Sequence, residues 1–136
     1  MLIVNVTEAC MKMAPQPFKK RDLRVLEGII IHRIGVGDTA EEIAEWFANH
    51  PEHTGGKMPY HYIINAGGRV EQAVTLDCIA PGSLAASKNR IEIALIGDFR
   101  KKAAPQPQVS ACIELAALLS KYISRVSIDG HTAAPG

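Results

Sequence analysis

The run Ile29-Ile30-Ile31, leading straight into His32, constrains this chain more than any other feature. An uninterrupted β-branched stretch suits a central strand covered on both faces, and such strands belong to sheets with helices packed on each side. The pattern predicts a strand over 26–32, broken by Gly35, Gly37 and Asp38. Thr39 followed by Glu42 matches a capping box, so a helix is expected over 40–50. Ile43, Trp46 and Phe47 give it an apolar stripe, and Pro51 stops it.

Downstream the alternation continues. A strand is expected over 60–65, then a tight turn at Ala66-Gly67-Gly68 and a returning strand over 69–74. A loop rich in Gly, Pro and Ser covers 79–89, and a further strand covers 90–96. A helix over 109–124 would carry Cys112, Ala116, Leu119 and Ile123 on one face, followed by a short strand over 125–128. At the other end, 1–6 reads as a short strand or arm, and 14–22 as a solvated polar loop. The expectation is an α/β fold, a central mixed β-sheet flanked by helices. It forms a single domain over 1–136, with an arm and loop over 1–25 and a core over 26–136.

Composition narrows the function classes. The 136 residues are 47% hydrophobic, enough for a core without help from a metal or disulfide. A net charge of +1 leaves no electrostatic footprint for nucleic acid, and 5% aromatic content leaves few stacking platforms. Cys10, Cys78 and Cys112 are odd in number and far apart, which argues against a disulfide framework and for a reducing compartment. No apolar run reaches the roughly 18 residues of a membrane helix, so no membrane association is expected. The N-terminus lacks the basic region of a signal peptide, which puts synthesis in the cytoplasm and leaves export to other machinery.

The histidines carry the chemistry. His32 closes an apolar strand, and His131 follows a second short strand and a Gly. A His at a strand end makes a well-directed metal ligand, although a lone one is more often a hydrogen-bonded structural residue. His50 and His53 flank a proline and read as solvated loop residues. Alternation puts Tyr60 and His61 on opposite faces, so only one can point into a given cleft.

Six segments in order then resemble the zinc-dependent N-acetylmuramoyl-L-alanine amidases, the family that includes phage lysozyme-type amidases and the peptidoglycan recognition proteins. They are Ile29-Ile30-Ile31-His32; the helix from Thr39 to Trp46; Tyr60-His61-Tyr62 with its Gly turn; Asn89 to Phe99; the Gln108 helix start; and Gly130-His131 with Ala134-Pro135-Gly136. The resemblance implies that His32 and His131 are two of three zinc ligands. It places Tyr60 beside the metal-bound water, where it stabilises the oxyanion, and gives Asn89 a substrate-binding place. The partner implied is peptidoglycan or a muropeptide, cut at the amide between muramic acid and L-alanine.

The chain departs from the pattern in two ways. The family's third ligand, Cys or Asp, and a catalytic Lys lie several residues after the second His, whereas this sequence ends five residues after His131. The residues given therefore lack that C-terminal ligand segment. Glu92 replaces the strand's usual Gly, two residues before a position where some relatives carry a catalytic Glu and this chain has Ala94. Residues 92 and 94 share a face, so Glu92 is a candidate catalytic carboxylate or substitute ligand, set against a plain salt-bridged strand Glu. With two histidines alone, zinc would be held weakly and hydrolysis by this stretch would be slow. The alternative is an inactive amidase-fold module that binds peptidoglycan fragments or a protein partner. A fold relative acting on an unrelated small amide is a third reading.

Overall fold

A computed structural model describes residues 1–100, 102–123 and 128–130. Its strands are β1 (Ile3–Asn5), β2 (Gly28–Ile34), β3 (Tyr62–Ile64), β4 (Val70–Gln72), β5 (Arg90–Ile96) and β6 (Ile128–Gly130). Its helices are α1 (Thr7–Met11), α2 (Ala40–Ala48) and α3 (Gln106–Leu119). The strands form one sheet in the order β1-β4-β3-β5-β2-β6. Every pairing is parallel except the β3–β4 hairpin, so the sheet is mixed, as expected.

The isoleucine run does what its pattern predicts. β2 lies between β5 and β6, and helices cover both sheet faces. Ile29 joins Ile91, Ile93, Tyr62 and Ile64 against Leu115 and Leu119 of α3. Ile34, Ala94 and Ile63 face the other way, against Ile43, Ala44 and Phe47 of α2. His32 falls on this second face by the two-residue period of the strand.

Local chemistry sets the boundaries. Thr39 caps α2, its hydroxyl accepting from the Glu42 N–H at 3.2 Å. The buried Glu71 carboxylate of β4 accepts from the Ala40 N–H at 3.0 Å, which ties the start of α2 to the sheet. In the hairpin turn Gly68 has φ +89°, and a Cβ there would lie 2.7 Å from the Pro107 carbonyl oxygen. Both the conformation and the close approach require glycine.

Several expectations need correction. β3 is only Tyr62–Ile64, so Tyr60 and His61 precede it. α3 begins at Gln106 rather than 109, because Pro105 and Pro107 suit a first turn whose N–H groups have no helical partners. It ends at Leu119 and passes into a 3₁₀ turn, Ser120–Tyr122. The last strand is Ile128–Gly130, and most of the segment predicted at 125–128 lies outside the described residues.

The N-terminal region departs most. Beyond the expected strand β1 it forms α1, and 14–22 is the largely exposed loop expected, but pinned to the fold at a few residues. Phe18 is buried in the α2-side core, and Lys20 bridges to Cys78. Arg21 donates to the backbone carbonyls of Leu76, Ser87, Lys88 and Arg90. No helix is long and apolar enough to cross a membrane among the described residues.

Candidate active site

The site begins with strand register. β2 and β5 run parallel with Ile30 opposite Glu92 and His32 opposite Ala94. His32 and Glu92 therefore share the α2-side face, two residues apart in register on neighbouring strands. Their side chains meet, His32 Nε2 lying 2.6 Å from Glu92 Oε1. Ser83 donates to the same oxygen at 2.6 Å and lies 3.4 Å from His32 Nε2. The His32 and Glu92 side chains are both 0% exposed, so Glu92 is no surface residue.

One oxygen of this cluster is unsatisfied. Glu92 Oε2 is buried and has no hydrogen-bond partner among the described residues. A buried carboxylate oxygen without a donor is costly. Gly82 is a second feature of the cluster. A Cβ there would sit 2.6 Å from the Pro59 carbonyl and 3.3 Å from both Glu92 Oε1 and His32 Nε2. Only glycine lets this loop lie so close to the pair.

Tyr60 completes the group. Its ring centroid is 5.0 Å from that of His32 and 6.2 Å from that of Phe47, and it is 2% exposed. Burial, with the Glu92 carboxylate adding to it, pushes the phenol well above its usual range. Tyr60 therefore stays protonated and keeps its O–H as a donor.

His61 turns the other way. Its Nδ1 accepts from the Glu92 N–H at 3.0 Å and its Nε2 faces the Cys78 carbonyl at 2.9 Å. That pattern fits only the neutral ring protonated at Nε2. Burial, then the adjacent Arg21 guanidinium, lower its pKa to about 3. With both nitrogens engaged by backbone, His61 is a structural residue.

The remaining predicted residues are dispersed. Asn89 ends the 3₁₀ turn just before β5, its carbonyl accepting from the Glu27 N–H at 2.8 Å. It lines a recess with Arg21 and Lys88, and no hydrogen bond joins it to His32, Tyr60 or Glu92 among the described residues. His50 is half-buried rather than solvated, stacked on Trp46 at 4.0 Å. His131 lies outside the described residues. β6 ends at Gly130, opposite Ile31 and one rung before His32.

Sequence reasoning missed Ser83, Gly82 and Arg21. The dipeptide Gly82-Ser83 was the available signal, since a small residue before a hydroxyl in a loop permits close backbone approach. Nothing in the sequence marks Arg21 apart from its basic neighbours.

The donor set fits zinc in kind. Zinc takes imidazole nitrogen and carboxylate oxygen, the two donor types that His32 and the orphaned Oε2 of Glu92 present. His32 and Glu92 are two donors, and no group of three His, Cys, Asp or Glu able to hold a metal forms among the described residues. All three cysteines are buried as free thiols.

The family model described as N-acetylmuramoyl-L-alanine amidase matches residues 22–136. The chain belongs to this family. Among curated proteins, no sequence matches it significantly. Solved structures resemble it at low identity. The Ph2119 endolysin, from a bacteriophage of Thermus scotoductus MAT2119, is 21% identical with a TM-score of 0.80, over 99% of this chain and 92% of that one. Drosophila peptidoglycan recognition protein SD is 19% identical with a TM-score of 0.77, over 100% of this chain and 89% of that one. Peptidoglycan recognition protein LE, solved with tracheal cytotoxin, is 13% identical with a TM-score of 0.81, over 98% of this chain and 87% of that one. At these identities the likeness establishes the amidase and peptidoglycan-recognition fold.

Proposed function

We propose that this member of the amidase family is a zinc-dependent peptidoglycan hydrolase that cleaves the amide between muramic acid and L-alanine. The observation that supports it most is the buried grouping of His32, Glu92 and Tyr60 on one sheet face, within a chain matched to that family from residue 22 onward.

His32 and His131 would hold the zinc, His131 following directly on the strand that pairs with β2. Zinc bound there supplies a Lewis acid that acidifies water and polarises the scissile carbonyl. The chain's own residues do the rest. Tyr60, kept protonated by burial and by Glu92, offers a neutral donor for the negative charge that develops on the carbonyl oxygen. Ser83 fixes one oxygen of Glu92 and so orients the carboxylate beside His32. Gly82 lets the loop lie directly against the pair. Asn89, outside this cluster, is assigned an outlying contact to the substrate.

The second reading, a module that binds peptidoglycan without cutting it, draws on the likeness to the recognition proteins, one of them solved with a monomeric peptidoglycan. Dye-labelled cell walls separate the two. The enzyme releases label, loses that activity with a chelator, regains it with added zinc, and is inactive as His32→Ala. Sedimentation with the walls and no release under any of these conditions would favour the binding module.

A further inference from the structure

We infer that a cationic recess beside the His32–Glu92 pair, walled by Lys19, Lys57, Lys88 and Leu84, binds the free carboxylates of the peptide arm of peptidoglycan. This rests on the reading of peptidoglycan as the substrate and takes nothing from the metal.

Two independent observations carry it. The first is charge. Lys19, Lys57 and Lys88 come from three distant segments and converge on one recess, with Ile79, Pro81 and Leu84 as its apolar wall. None of the three lysines forms an ion pair among the described residues, whereas Lys20, next in the chain to Lys19, is paired with Asp77 at 3.3 Å. No acidic side chain lines the recess among the described residues. The whole chain carries only +1, so three unbalanced cations in one place are a local field rather than a general basicity.

The second is strain. Among the described residues, Leu84 alone of the non-glycines has a positive φ, +54°, and it is 87% exposed. The left-handed region is unfavourable for a branched side chain, and asparagine or glycine takes it at less cost. The neighbours of Leu84 fix it there. Ser83 gives its hydroxyl to Glu92 Oε1 at 2.6 Å and its N–H to the Ser87 hydroxyl at 2.8 Å, and Gly82 lies directly against both His32 and Glu92. Strained residues held by their surroundings cluster at ligand contacts. The loop that touches the pair at Gly82 and Ser83 thus presents an apolar side chain and a lysine rim one residue further on.

This combination fits an acidic peptide. Ammonium groups on flexible stems meet carboxylates at variable spacing, and Leu84 offers apolar contact to the short side chains between them. The peptide attached at the scissile amide begins with L-alanine, and its later residues reach a recess one loop away. Lys88 and Ile79 also wall the recess that holds Asn89, which joins the two surfaces into one path.

The test reads binding, with hydrolysis blocked by a chelator. Purified cell walls freed of phosphate polymers are used as isolated and after their peptide carboxylates have been converted to amides. Wild type should bind the amidated walls about 10-fold more weakly, the combined effect of three weak, exposed ion pairs. The triple variant Lys19→Gln, Lys57→Gln, Lys88→Gln should bind untreated walls about 10-fold more weakly than wild type and be indifferent to amidation. The triple variant Lys19→Arg, Lys57→Arg, Lys88→Arg should bind as wild type does. Leu84→Asn should melt about 3 °C higher, because the left-handed strain is relieved, and yet bind the walls more weakly. Equal binding of wild type to both wall preparations, or no binding to either, would overturn the inference. So would a folded glutamine variant that binds like wild type or stays as sensitive to amidation. The wall comparison uses wild type alone, so it decides even where the glutamine variant does not fold. Wild type bound only to walls that keep their phosphate polymers would overturn it too, by giving the recess to those polymers. If the carboxylates are read as inferred but the walls are never cut when zinc is supplied, the amidase reading fails and this one stands.

Discussion

Replacing Arg21 with alanine should destabilise the protein by about 3 kcal/mol. The guanidinium Nε donates to the Leu76 carbonyl at 2.9 Å, and Nη1 lies 2.8–3.2 Å from the carbonyls of Ser87, Lys88 and Arg90. Nη1 has two protons for those three acceptors, so three effective bonds are made in all. At about 1.5 kcal/mol each, the low end for bonds to a charged group, they contribute about 4.5 kcal/mol. Arg21 is half-buried, and water reaching the freed carbonyls should return about a third of that. With a urea dependence of roughly 2 kcal/mol per molar, the unfolding midpoint should fall by about 1.5 M. Arg21→Lys should recover less than half, because a single ammonium cannot span four carbonyls. The site should feel the loss too, since the Ser87 hydroxyl accepts from the Ser83 N–H at 2.8 Å and Ser83 holds Glu92. A midpoint within about 0.3 M of wild type, or full rescue by lysine, would refute the clamp.

Other outcomes follow from the same geometry. Gly82→Ala places a Cβ 2.6 Å from the Pro59 carbonyl, so it should cost about 1–3 kcal/mol and weaken zinc binding, read by thermal melts and a zinc titration. Gln108→Leu removes the two bonds by which Nε2 holds the Ile64 and Ile96 carbonyls, each 2.9 Å, and should cost about 2 kcal/mol in a denaturant melt. His61 gives a pH signature, because its folded pKa of about 3 lies below the unfolded value of 6.5. The unfolded chain then binds a proton that the native ring refuses. The His61 contribution is complete above pH 6.5 and is lost toward pH 3, at up to about 1.4 kcal/mol per pH unit. His61→Asn should flatten that part of the stability–pH curve, measured as urea midpoints between pH 7 and 4.

Patterns carried by consecutive residues were legible. The Ile29–Ile31 run, the Thr39 cap and the Gly67-Gly68 turn each announce their own conformation, and each appears where its chemistry demands. That residues 92 and 94 share a face followed from strand periodicity, whereas the face they share with His32 is set by the register of β2 on β5. Long-range contacts were not legible. Arg21 binds carbonyls more than fifty residues away, and only the folded sheet brings them together. The strand at 60–65 was overestimated because the Tyr60-His61 stretch is β-prone by composition, whereas His61 N–H and C=O pair with Glu92 and Ala73 across a bend. Ser83 was hidden in a loop whose path over the site is set by Gly82 and Pro59, not by any local preference.

The central claim is tested most directly by mass spectrometry of the products from purified peptidoglycan incubated with the zinc-loaded chain. The account predicts stem peptides with a free L-alanine amino end, appearing with intact glycan strands whose muramic acids carry free lactyl carboxyls. New reducing sugar ends, cuts within the stem peptide, or unaltered peptidoglycan after prolonged incubation would contradict it.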